Sequence, residues 1–138
     1  MPVFGKTSKD RLKTCHPQLQ EVLLEAIKHY DFTILCGHRN EEEQNAAYFA
    51  TPQKSTLMWP HSKHNTFPSL AVDVAPYYKE KPHIRWNRLY EFVYLHGIIR
   101  GLASERGIII RSGIDWDRDD ELITDQKFDD FPHIEIIL

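Results

Sequence analysis

The sequence predicts an α+β domain in which helices cover one side of a small sheet. Helical and strand-like segments alternate along the chain without the strict βαβ regularity that builds a parallel sheet. Two long segments, near residues 17–30 and 87–105, repeat apolar residues at the i, i+3, i+4, i+7 spacing of a helix with one buried stripe. The strand-like runs among them are short and apolar. No internal repeat, low-complexity tract or linker divides the 138 residues, so a single domain over 1–138 is expected. A chain of this length buries roughly two thirds of its unfolded surface and needs no disulfide staple.

The first helix runs from about Pro17 to Tyr30, with Leu19, Val22, Leu23, Ala26, Ile27 and Tyr30 on its stripe. Pro17 suits the first turn, where its missing N–H is not needed. Asp31 and Phe32 open a strand, Phe32 to Cys36, which Gly37 closes. Asn40 followed by Glu43 has the form of a capping box, starting a second helix through Ala46, Ala47 and Phe49. Residues 51–69, with three prolines among several Ser, Thr and Asn, read as a long loop, and long loops in compact domains are often functional. Leu70 to Ala75 is the next strand, stopped by Pro76. A helix over Asn87–Glu105 carries Leu89, Phe92, Val93, His96, Ile99 and Leu102 on one face, and Gly107 is a natural stop. Ile108 to Arg111 is a further strand, an acidic loop runs from Asp115 to Asp130, and the chain ends on a strand from His133 to Leu138.

Composition narrows the function classes. A net charge of -3 with no basic stripe argues against a general grip on nucleic acid. No stretch approaches the ~20 apolar residues of a membrane span. The start, MPVFGKTSKDRLKT, has no apolar core of a secretory signal, so a soluble cytoplasmic chain is expected, and a monomer. Cys15 and Cys36 lack any C-x-x-C spacing and read as buried free thiols.

Two strands break their own apolar pattern. In Leu70–Ala75, Val72 and Val74 share one face, while Asp73 shares the other with Ala71 and Ala75. A carboxylate there must be paired or metal-bound, because an isolated buried charge is very costly. In the last strand, Ile134, Ile136 and Leu138 form one face and leave His133 and Glu135 on the other. The loop adds Ser62, Lys63, His64 and Asn65 just upstream of Asp73. Two imidazoles and one carboxylate make a normal donor set for catalytic zinc, better suited to it than to calcium or magnesium. Asp130, three residues before His133, is placed to move protons beside such a metal. A lone His or Asp on a strand also has a purely structural reading, and spacing alone leaves both open. His61 rivals His64 as the donor from the loop, and Asp129 rivals Asp130 as the base. His29, near a helix C-terminus, suits the dipole there, and His16, His83 and His96 read as surface or packing residues. The loop from Asp115 through Asp117, Asp119, Asp120 and Glu121 starts like a calcium loop but lacks the EF-hand glycine and glutamate. It reads as a solvated acidic loop, with a regulatory calcium site as the alternative. Trp116 reads as a packing or substrate-wall residue.

These segments resemble a known family. Ser62-Lys63-His64 with Ala71-Val72-Asp73 is similar to the first metal motif of the zinc D-alanyl-D-alanine carboxypeptidase and L-alanyl-D-glutamate endopeptidase family. Asp130-Phe131-Pro132-His133-Ile134-Glu135 resembles its second. Gly113-Ile114-Asp115-Trp116 is similar to the Gly-x-Asp-Trp segment of its phage endolysins, and Gly37-His38-Arg39 with Gln44 resembles the early Gly-x-Arg…Gln segment. The motifs occur in order over nearly the whole chain. One departure stands out: eight residues separate His64 from Asp73, more than in the compact motif, and Phe67-Pro68-Ser69 occupies the bend where that motif has glycine.

The resemblance implies a Hedgehog/D,D-peptidase-like fold with a small antiparallel sheet. It implies zinc on His64, Asp73 and His133, Asp130 as general base, and Arg39 polarising the scissile carbonyl or steadying the oxyanion. Ser62 would orient the substrate, and Glu135 would fix a histidine tautomer. The implied activity is that of an endolysin cutting the L-alanyl-D-glutamate bond of peptidoglycan, with no separate cell-wall-binding module. Such an enzyme would be made in the host cytoplasm and reach the wall through a membrane pore. A D-alanyl-D-alanine carboxypeptidase, or a non-catalytic zinc-containing binding module, are the alternatives.

Overall fold

The computed structural model describes residues 1–119 and 130–138. Among these lie helices α1 (Lys6–Leu12), α2 (Pro17–Ala26), α3 (Glu41–Phe49) and α4 (Leu89–Glu105), and strands β1 (Phe32–Cys36), β2 (Ala71–Pro76), β3 (Ile109–Ser112) and β4 (His133–Ile137). The strands form one antiparallel sheet in the order β1-β2-β4-β3. The expected α+β class is thus the observed one.

Alternation along the strands gives the sheet two chemically different faces. Phe32, Ile34, Val72, Val74, Ile110, Ile134 and Ile136 join a core with Leu19, Leu23 and Ala26 of α2 and Leu95, Ile99 and Ala103 of α4. Buried side chains of the larger kind contribute about 1.5–3 kcal/mol each, so this face holds the layers together. The register places Asp73, Arg111, His133 and Glu135 on the opposite face.

Some elements differ from expectation. Helix α2 ends at Ala26 because the chain tightens there, Lys28 and His29 donating to Glu25 and Ala26 three residues back. The buried face of α4 is rotated, with Leu95 and Ala103 inside and Leu89 42% exposed. Gly107, at φ 68°, ends that helix region in the left-handed conformation glycine favours. In α3 the buried residue is Gln44, while Phe49 is exposed. Helix α1 was not expected, being short and polar. It lies along the edge strand β1, where Ser8 Oγ accepts the Ile34 N–H at 3.0 Å and Arg11 Nη1 donates to the Ile34 carbonyl at 2.9 Å. Its polar side chains thereby satisfy an otherwise open sheet edge. Both cysteines are free, Cys15 buried and Cys36 only partly so. No described helix is long and apolar enough to cross a membrane.

Candidate metal and catalytic site

Asp73 on β2 pairs directly with His133, the first residue of β4. Register alone brings the side chains together, with His133 Nδ1 3.4 Å from Asp73 Oδ1. The other ring nitrogen, Nε2, lies 2.8 Å from Oε1 of Glu135, two residues on along the same face. Glu135 in turn accepts from Nη2 of Arg111, its cross-strand partner on β3, at 2.8 Å.

His64 comes from the loop before β2, on a single 3-10 turn over Lys63–Asn65. Ser62 caps this turn, its Oγ accepting the His64 N–H at 3.2 Å while its own N–H donates to Asn65 Oδ1 at 3.0 Å. His64 Nδ1 lies 2.7 Å from the Gly37 carbonyl, so that nitrogen carries the proton and Nε2 faces Asp73 Oδ1 at 3.2 Å. Both imidazoles therefore turn one nitrogen to a single carboxylate oxygen and spend the other on an acceptor that fixes the ring.

The electrostatics follow from this packing. Burial works to lower the His64 pKa, but the charge and hydrogen bond of Asp73 outweigh it and hold it at about 10. Burial likewise opposes ionisation of Asp73, yet the two histidines hold it well below the usual carboxylate range. His133 is raised against its burial by Asp73 and Glu135. Asp130 moves the other way: burial, reinforced by the Asp73 charge, raises it to about 6.

These side chains line a cleft of about 440 Å³ together with Arg39, Ser62, His61, Arg111 and Trp116. Arg39 Nη2 donates to Asp73 Oδ2 at 3.1 Å, and its Nη1 reaches Gln44 Oε1 at 3.4 Å. The Trp116 ring lies 5.2 Å from the His133 ring, with the Arg111 guanidinium 5.7 Å from its centre. Asp130 lies just before β4, its N–H donating to the Gly113 carbonyl at 2.8 Å.

Two imidazole nitrogens and a carboxylate oxygen gathered at the wall of an open cleft fit a zinc ion with one position left for solvent or substrate. Cys36, His64 and Asp73 place donor atoms within 4.8 Å of one another. Cys36 Sγ, however, lies 3.9 Å from Nδ1 of His64, the nitrogen already committed to Gly37. His64 and Asp73 are thus common to two candidate donor sets, with Cys36 or His133 as the third member. His61 is exposed on the cleft wall, and it is His64 that faces Asp73. The carboxylates of Asp115, Asp117 and Asp119 form a separate group, also within 4.8 Å, whereas Asp120, Glu121 and Asp129 lie outside the described residues.

The roles of several supporting residues were not predicted from the sequence. Arg111 stands behind Glu135, and a single arginine on a short strand gives no motif. Buried Gln44 and Asn65 form an amide pair, with Asn65 Nδ2 3.1 Å from Gln44 Oε1, while Gln44 Nε2 donates to the Leu57 carbonyl at 2.6 Å. Together they tie the loop to Arg39. Of the histidines expected at the surface or in packing, His16 caps α2 through Nδ1, His83 stacks on Tyr77, and His96 is buried with both ring nitrogens bonded.

The sequence matches the family model described as phage L-alanyl-D-glutamate peptidase over residues 2–137. It is 37% identical over 121 residues to the L-alanyl-D-glutamate peptidase of Escherichia phage T5, covering 82% of this chain and 80% of that protein. The fold is similar to that of the Serratia marcescens L-Ala D-Glu endopeptidase ChiX, with a TM-score of 0.70 at 22% identity, over 98% of this chain and 90% of that one. On the family match and the phage T5 relative, the chain belongs to the phage L-alanyl-D-glutamate peptidase family.

Proposed function

We propose that this chain is a zinc peptidase that hydrolyses the L-alanyl-D-glutamate bond of peptidoglycan stem peptides. The observation that carries the reading is the convergence of His64 Nε2 and His133 Nδ1 on Asp73 Oδ1, at 3.2 and 3.4 Å, beside an open cleft. Family membership supplies the substrate class. His64, Asp73 and His133 hold the metal. A zinc ion there supplies Lewis acidity and makes water a usable nucleophile at neutral pH.

The chain's own residues do the rest. Asp130, raised to about 6, takes a proton from the attacking water and returns it to the leaving amine, which suits a base working near neutrality. Arg39 donates to the scissile carbonyl as negative charge develops on it. Ser62 orients substrate at the cleft wall, Trp116 walls it, and Glu135 holds the His133 ring. The setting is a phage lysis enzyme made in the host cytoplasm and reaching the wall through a membrane pore. A regulatory calcium ion on Asp115, Asp117 and Asp119 is a second reading, favoured by their close grouping.

Digestion of purified peptidoglycan, followed by mass spectrometry of the fragments with and without chelator, tests the reading. New D-glutamate amino termini that vanish with chelator are expected. Free D-alanine would instead identify a D-alanyl-D-alanine carboxypeptidase. Tight zinc binding with no cleavage would identify a binding module.

A further inference from the structure

We infer that His96 is a positioning residue for the reaction, holding the loop that presents Asp130 through hydrogen bonds at both ring nitrogens. The inference rests on the reading of Asp130 as the general base. His96 sits on the buried face of α4, among Phe92, Leu95 and Ile99, and is 4% exposed. An apolar side chain would fill that slot without the cost of burying two polar atoms. What the imidazole adds is a pair of short bonds.

Nε2 lies 2.6 Å from the Phe131 carbonyl, which only accepts, so Nε2–H donates. That leaves the Nδ1 lone pair to accept from the Ser112 hydroxyl at 2.5 Å. Ser112 Oγ also accepts the Ile114 N–H at 3.2 Å. One ring thus ties the residue after Asp130 to the end of β3 and the turn beyond it. Burial lowers His96 to about 4, so the ring is neutral near pH 7 and keeps one donor and one acceptor.

Two backbone bonds close the same loop, Asp130 N–H to the Gly113 carbonyl and Gly113 N–H to the His133 carbonyl, each 2.8 Å. The proposed metal ligands do not depend on the loop to the same degree. Asp73 and His133 are fixed by pairing between β2 and β4. Asp130 precedes β4 and has no strand pairing to place it, so loss of the brace falls first on the base.

The test compares His96→Leu, His96→Gln and Ser112→Ala with Ile99→Val, a core change one turn away that leaves the brace intact. Steady-state cleavage of a stem peptide, zinc affinity, and amide exchange at Asp130 in the metal-free protein are measured for each. His96→Leu is expected to lower kcat about tenfold or more, as small misplacements of catalytic groups do, with KM and zinc affinity within about twofold. Exchange at the Asp130 amide should speed up about tenfold in that variant and stay unchanged in Ile99→Val. His96→Gln keeps a donor for Phe131 and should recover much of kcat. Wild-type kcat in His96→Leu, a parallel loss of zinc affinity, or glutamine no better than leucine would overturn the proposal. If His96→Leu does not fold, Ser112→Ala decides: it should slow kcat with Asp130 exchange faster, and no change in both refutes the brace. If the wild-type protein cleaves nothing, the proposed function fails instead, and the exchange data alone judge the brace.

Discussion

Asp73 and His133 are directly paired across β2 and β4, and the shared oxygen of Asp73, also approached by His64, serves both imidazoles. Without a metal, this is a hydrogen-bonded cluster of opposite charges that favours protonated histidine. His64 is held at about 10 against its burial, so it carries a proton at neutral pH that a metal must displace. Zinc uptake at pH 7 should therefore release about one to two protons, and apparent affinity should fall as the pH is lowered. Calorimetric titration in buffers of different ionisation heat measures this directly. A proton count of zero would show that His64 is already neutral.

Glu135 is the buried partner of His133 Nε2 and is itself anchored by Arg111. Replacing it with glutamine removes the charge but preserves the shape. Glu135→Gln should weaken zinc binding by about 10-fold, the lower end of what such supporting carboxylates contribute. Competition with a chromophoric chelator reads the change, and equal affinity would rule out an orienting role.

Asp130→Asn separates metal binding from proton transfer. The variant should keep zinc affinity and lose turnover by roughly 10²–10⁴. His133→Ala should lose metal and activity together. Near-normal rates in Asp130→Asn would move the base elsewhere.

What the sequence made legible has a physical pattern. Asp73, His133 and Glu135 could be read because polar residues stood in strands whose other positions were apolar, and alternation then fixed their common face. Choosing between His61 and His64 required knowing which ring points inward. That direction is set by the Gly37 carbonyl, far away in sequence. Arg111 was hidden because an arginine on a short strand has an ordinary surface reading, and its meaning comes from Glu135 on the neighbouring strand. Helix α1 was hidden for a different reason: its work is polar, completing the edge of β1, so it carries no hydrophobic stripe. His96 lay in plain view on the face of α4, but spacing identifies a buried position and not its bonds.

The stability of the fold should depend on pH through His96. Its folded value of about 4 lies below the ordinary 6.5. Between those values the unfolded chain binds more protons than the folded one, so stability rises with pH across the window. The contribution is complete above pH 6.5 and is lost as the pH falls towards 4, to a limit on the order of 3 kcal/mol. Urea midpoints at pH 7 and pH 4.5 should differ less in His96→Gln than in the wild type. An identical difference in both would assign the acid sensitivity to other groups.

Gly113 offers a final test of how tightly the loop before β4 is held. A Cβ added there would stand 2.9 Å from Cβ of Asp130 and 3.0 Å from its carbonyl carbon, with the carbonyl oxygen closer still. Backbone cannot yield as a flexible side chain can, so Gly113→Ala must push residues 113 and 130 apart and weaken the bond between them. Zinc should still bind, because its proposed ligands lie on β2, β4 and the Ser62-capped turn. Turnover should fall by about 10–100-fold, the scale expected when a catalytic group is displaced by a fraction of its working distance. Gly101→Ala on α4 is the matched control. Its Cβ meets nothing within 4 Å, and removing a glycine from a helix interior should stabilise by about 0.5–1 kcal/mol without changing the rate. If Gly113→Ala cleaved its substrate at the wild-type rate, the position of Asp130 would be less demanding than its close packing against Gly113 implies.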